Sequence, residues 1–198
     1  MIALTHAWWV AMVRGVAAIT VALIVLPQAH VSMTMVMAAF GAYILVDGIV
    51  ALTGGIAVGL GLCGLVLLAE GFVGVTIAAI SLSDIRTAPH NIHVAEIPIA
   101  AWAGVVGIAE VYIGVRSGRE LPANRLATHR TALPPERACL LAGAVAIAFA
   151  ISLLMLPMTS AGIAVPVTGL FAAALGYLRV RSGLALGSLH LDRFYSPS

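Results

Sequence analysis

This 198-residue chain is short of charge: charged residues make up 9% of it, and lysine does not occur at all. An ordinary soluble domain carries roughly a quarter charged residues, so the scarcity excludes a conventional soluble fold. With ten basic side chains, all arginine, against eight acidic ones, the formal net charge is only +2. That is too small an excess for a nucleic-acid partner, and none is expected. Cysteine is sparser still. Cys63 and Cys139 stand alone and far apart, which excludes a disulfide framework or a paired-cysteine metal site and leaves two small buried side chains as the reading. Catalytic signatures are missing too: there is no Gly-x-Ser-x-Gly elbow, no His-Glu-x-x-His and no Gly-x-Gly-Asp aspartate pair. No catalytic residue, cofactor or metal is expected, and the chain reads as a non-enzyme.

What the chain has instead is apolar sequence, 62% of the residues, with a mean hydropathy of +1.09. The apolar runs approach the roughly 20 residues that a spanning helix needs. Set against turn residues, they predict six spans near 7–26, 33–52, 60–82, 97–115, 138–156 and 161–180. Turns are expected at Pro27, at Thr53 to Gly55, across Asp84 to Pro98, across Arg116 to Arg137, and at Pro157. The first run has no basic residue before it and an arginine within it, so it is expected to remain as a span and not to be cleaved as a signal peptide. The fold class is therefore all-α: a polytopic membrane helix bundle forming one integral membrane domain over 1–198.

Glycines mark an internal repeat. Gly15 and Gly48 lie 33 positions apart, as do Gly143 and Gly176, and the pair Gly41 and Gly48 recurs as Gly169 and Gly176. Gly71 and Gly107 give the middle unit a spacing of 36, the excess falling in its loop. The expected units are three parallel helical hairpins, about 7–55, 56–116 and 138–183, with an arginine-rich loop at 116–137 and a short tail at 184–198. Arg116, Arg119, Arg125, Arg130, Arg137, Arg179, Arg181 and Arg193 fall at one face and Arg86 alone at the other, so both termini are expected to be cytoplasmic. Trp8 and Trp9 mark the inner boundary, and the basic loop is expected to lie near anionic lipid headgroups.

Four ionisable residues fall well inside predicted spans, away from their ends: Arg14, Asp47, Glu70 and Glu110. At about 1.5 Å rise per residue they form one layer on the order of 9 Å inside the cytoplasmic boundary. An ion at the centre of a spanning helix costs about 2.5–3.5 kcal/mol on insertion scales, so partners are expected. Arg14 pairs with Asp47, or with Glu70; the competing readings are a snorkelling arginine and a proton or ion relay. On the opposite face, His30, His90 and His93 are candidates for pH sensing. The spacing of His90 and His93 fixes no metal site, and the methionines of MTMVM (Met33 to Met37) read as packing rather than copper ligands.

The stretches AWWVAMVRGVAAITVALIVLP, FGAYILVDGIVALTGG, LLAEGFVGVTIAAIS and IAAWAGVVGIAEVYIGVR resemble the HdeD family of acid-resistance membrane proteins. The tryptophan-rich start, Arg-Gly in the first span, Gly-Ala-Tyr through Asp-Gly in the second, and the arginine after the fourth carry the similarity over about the first two thirds of the chain. The resemblance implies a small six-span inner-membrane protein of repeated hairpins, associated with survival of acid and bringing no enzymatic activity or cofactor. The expected function is a non-enzymatic role in the envelope under acid stress or as an accessory of a membrane complex, with the lipid bilayer, a second copy or a larger complex as partners. The alternative is a small proton-coupled transporter or channel using the intramembrane carboxylates.

Overall fold

Sequences this apolar must satisfy every backbone polar group internally when they sit in lipid, and a helix does so within one segment. The computed structural model describes residues 8–27, 33–59, 61–87, 92–120, 134–155 and 161–195, and all regular structure in them is helical. The six helices are α1 (Trp8–Val25), α2 (Met33–Val58), α3 (Leu62–Thr87), α4 (Ile92–Glu120), α5 (Pro135–Met155) and α6 (Ala161–Tyr195). Among the described residues, α1 to α5 each contain a stretch long and apolar enough to cross a membrane. The protein is a helical membrane bundle.

All the helices but α1 outrun the expected spans at one end or both. Thr53 to Gly55 lies inside α2, and the chain turns instead at Gly59, whose φ of +86° suits a residue without a Cβ. Most of Asp84 to Pro98 is helical as well, with Pro98 inside α4, and the expected basic loop shrinks because α4 continues through Arg116 and Arg119. The reason is common to all three places. Hydropathy falls where a helix leaves the hydrocarbon, whereas hydrogen bonding continues until a residue or a water breaks it.

The closest helix pairs are not the covalent hairpins. Neighbouring units meet through the marker glycines, each odd helix lying against the last helix of the preceding unit. A Cβ on Gly48 would come 3.0 Å from the Gly71 carbonyl oxygen, one on Gly107 2.9 Å from that of Gly143, and one on Gly15 2.9 Å from that of Gly176. Three equivalent crossings thus tie α2 to α3, α4 to α5 and α6 to α1, and the looser hairpin contacts complete a ring. Gly55, Gly114 and Gly183 stand seven positions after Gly48, Gly107 and Gly176, and each again faces the paired helix closely. Seven residues bring a helix back to nearly the same face, so each even helix presents a glycine stripe, and small residues let backbones approach in lipid.

The α6 helix closes the ring antiparallel to α1. Gly169 faces Leu26, Gly183 faces Met12 and Gly187 faces Trp8, so α6 runs the whole length of α1. The start of α1 and the far part of α6 therefore lie at one end of the bundle, called here the terminal end.

Polarity runs inside out relative to a soluble protein. Val16, Ile49, Phe72, Ile108 and Leu170 are exposed on the outside, whereas Arg14, Asp47, Glu70, Glu110 and Arg179 are buried. Exposed hydroxyls turn back on their own helices, Thr20 donating to the Val16 carbonyl, Thr76 to Phe72 and Ser152 to Ala148. Each of these three hydroxyls is thereby satisfied within its own helix where it would otherwise face acyl chains.

Candidate functional site: a buried charge layer

The repeat aims its functional side chains. The residue before each odd-helix glycine is Arg14, Glu70 or Ala142, and the residue before each even-helix glycine is Asp47, Val106 or Leu175. All six are buried at one level of the bundle. Three positions after the even-helix glycines come Ala51, Glu110 and Arg179, also buried.

Arg14 makes a forked contact with Asp47, Nε donating to Oδ1 at 2.8 Å and Nη2 to Oδ2 at 2.8 Å. Its Nη2 also donates to Glu70 Oε1, and Nη1 reaches Glu70 Oε2 at 3.4 Å. Arg14 therefore pairs with both acids that the sequence offered as alternatives. A second guanidinium completes the network. Arg179 donates through Nε to Glu110 Oε1 at 2.6 Å, and through Nη1 to Asp47 Oδ1 at 2.6 Å and to the Tyr43 hydroxyl at 2.9 Å. Its Nη2 lies 4.0 Å from Glu70 Oε1. Asp47 is the hub, accepting from both arginines.

The sequence alone does not single out Arg179 or Tyr43: Arg179 stands at the basic end of the sixth span, and the structure buries it. The register did hold the signal, because Arg179 follows Gly176 by the same three positions by which Glu110 follows Gly107. His30 and His90 lie outside the described residues. His93 falls in the first turn of α4, and its side chain is also outside what is described.

Aromatic rings seal the layer on the side away from the terminal end. Tyr43, Trp102 and Phe171 each precede their marker glycine by five positions. Tyr43 and Trp102 meet edge to face with centroids 5.6 Å apart, Phe171 stacks on Phe149 at 3.8 Å, and Phe40 touches Tyr43, Trp102, Phe149 and Phe171. Toward the terminal end the layer borders a cavity of about 80 Å³, into which Arg14, Glu110 and Arg179 face along with Cys139 and Ser182.

Three carboxylates meet two guanidiniums, a formal excess of one negative charge. Most of the hydrogen-bonding capacity is used within the cluster, but Glu110 Oε2 and Arg179 Nη2 have no hydrogen-bond partner among the described residues. Each such orphan costs about 1–3 kcal/mol. Among the residues whose side chains are described, no group of three or more His, Cys, Asp or Glu side chains is placed to hold a metal ion. The acids are interleaved with guanidiniums, an arrangement suited to neutralising charge.

No family model, curated protein or solved structure matches the chain.

Proposed function

We propose that the protein is a non-enzymatic integral membrane protein of the bacterial inner membrane, both termini cytoplasmic, with an accessory role in the envelope under acid stress or in a membrane complex, as the resemblance to the HdeD family implies. The observation that carries the non-enzymatic part is the pairing of the two central carboxylates, Asp47 and Glu70, with guanidiniums. Asp47 and Glu70 are held by guanidiniums and sealed from one side by aromatic rings, so they lack the open position that a catalytic or carrier carboxylate requires. The layer acts as an ionic clamp that fixes the register of three hairpins where lipid supplies no hydrophobic drive between helices. The cytoplasmic assignment rests on the arginine distribution, and the basic segment between α4 and α5 lies at anionic headgroups.

The second reading is a proton-coupled transporter or channel, favoured by the unpartnered Glu110 Oε2 beside the cavity. Two measurements separate the readings. For a clamp, Arg14→Ala lowers thermal stability in mild detergent, and combining it with Asp47→Ala restores part of the loss. For a carrier, purified protein in liposomes moves protons or small solutes and Glu110→Gln abolishes that flux with the fold intact. Flux of this kind would replace the clamp reading, and a double variant no more stable than the single one would remove its energetic basis.

A further inference from the structure

The outward face of α4 changes character along its length. Ile97, Ala101 and Ile108 are exposed on one stripe, the two isoleucines at 65% and 66%. Continued at helical spacing, the same stripe carries Tyr112, Val115, Arg116 and Arg119 toward the terminal end. It points away from Gly107, Glu110 and Gly114, which face the rest of the bundle. Val115, Arg116 and Arg119 are exposed and Tyr112 is half-buried, and together they line a hollow of about 290 Å³. Along the stripe the order is therefore apolar, then phenolic, then cationic. A phospholipid presents its acyl chains, its glycerol esters and its phosphate in the matching order.

Depth agrees with this match. Arg116 and Arg119 stand six and nine residues past Glu110, about 9 and 14 Å along the helix axis. With the charge layer on the order of 9 Å inside the hydrocarbon boundary, Arg116 reaches that boundary and Arg119 the headgroups just beyond it. The repeat sets the feature apart. In the register of the even-helix glycines, Val115 corresponds to Ile56 of α2 and Leu184 of α6, whereas Arg116 corresponds to Ala57 and Ala185. All three units keep the apolar position and one adds the cation, so the helical frame itself does not require it.

Arginines three positions apart on a helix are neighbours, with about 5–6 Å between their Cβ atoms. Both can close on one phosphate, each through a fork of N–H donors. Arg116 also interacts within the protein, and its five donors leave others for a phosphate. A zwitterionic headgroup brings a cationic nitrogen that two guanidiniums repel; an anionic one does not. We propose that Tyr112, Val115, Arg116 and Arg119 form a binding site for one anionic phospholipid, its phosphate between the two arginines and an acyl chain along Ile108. The site deepens the placement of this end of the bundle at anionic headgroups, and rests on it.

The test is native mass spectrometry of the full chain, incubated in detergent with equal amounts of dioleoyl phosphatidylglycerol and dioleoyl phosphatidylcholine, which share their chains. The first bound lipid is expected to be phosphatidylglycerol by on the order of tenfold, and Arg116→Gln combined with Arg119→Gln is expected to bring the ratio to about one. Arg119→Gln alone, which serves should the double variant not fold, is expected to leave about threefold. Arg137→Gln and Arg181→Gln, at the same end of the bundle, are expected to leave the preference unchanged. A preference that persists in the double variant, or that either control lowers as much, overturns the site while leaving this end at the headgroups. Absence of any preference in the intact protein overturns both. Glycerol phosphate, a head without chains, is expected to leave the lipid in place; displacement by it at the lipid's own concentration would define a site for soluble phosphates and overturn the proposal as well.

Discussion

Asp47 decides the residue scale. It is 0% exposed and accepts from both Arg14 and Arg179, so its removal leaves two buried guanidiniums short of their shared counter-ion. Breaking one partner of a buried ion pair costs about 3–5 kcal/mol, and Asp47→Ala is expected to fall at or above that range in thermal unfolding followed in mild detergent. Tyr43→Phe removes a single hydrogen bond to a charged donor and is expected to cost about 1.5–3 kcal/mol. A Tyr43 variant as damaging as the Asp47 one would mean that the aromatic seal, and not the ion pairs, holds the layer. At this scale much of the site was legible: Arg14, Asp47, Glu70 and Glu110 stand out because an ion in an apolar run is costly enough to demand a partner. Arg179 was not, because it sits where the sixth apolar run gives out. Only the continuation of α6 to Tyr195, for which hydropathy gives no sign, puts it inside the bundle.

At the scale of the element, the glycines carry the argument. A methyl group on Gly48 would come 2.8 Å from the Val75 nitrogen, and one on Gly143 2.7 Å from the Gly107 carbonyl oxygen. Backbone gives way less readily than a side-chain tip, and overpacking costs about 1–3 kcal/mol. Gly48→Ala, Gly107→Ala and Gly176→Ala, one in each crossing, are each expected to lower the unfolding temperature and to do so alike, because the three crossings are equivalent. Gly104 is the control. A Cβ there meets nothing within 4 Å, so Gly104→Ala is expected to stabilise by roughly 0.5–1 kcal/mol through reduced freedom of the unfolded chain. Indistinguishable behaviour of Gly104→Ala and Gly48→Ala would show that the crossings are not tight. The glycine spacing was readable in the sequence and gave the repeat, but it did not say which helices the glycines join. Periodicity fixes a face; its partner depends on how three units close on one another, and no local pattern contains that information.

Ring closure belongs to the whole molecule. The basic segment between α4 and α5 joins two parts that are otherwise held by glycine crossings, α4 against α5 and α6 against α1. Charge is divided unequally between the parts. Residues 1–120 carry Arg14 with Asp47, Glu70 and Glu110, one guanidinium facing three acids, and residues 134–198 carry Arg179 with none of those acids. Neither part can neutralise its buried ions, and each also exposes an unpaired glycine face. Expressed separately, each is expected in low yield. Expressed together as two chains divided within 121–133, they are expected to assemble in the membrane, so that a tag on one recovers both, because every crossing and ion pair described here survives the cut. Replacing Arg179 with Ala in the smaller chain should then reduce recovery more than Arg181→Ala, since Arg179 is bound to Glu110 and Asp47 whereas Arg181 is bonded to none of the three buried acids. If 1–120 alone folded with the thermal profile of the intact chain, or if Arg179→Ala and Arg181→Ala reduced recovery equally, the ring would not be what neutralises the charge, and the first two hairpins would have to do so unaided.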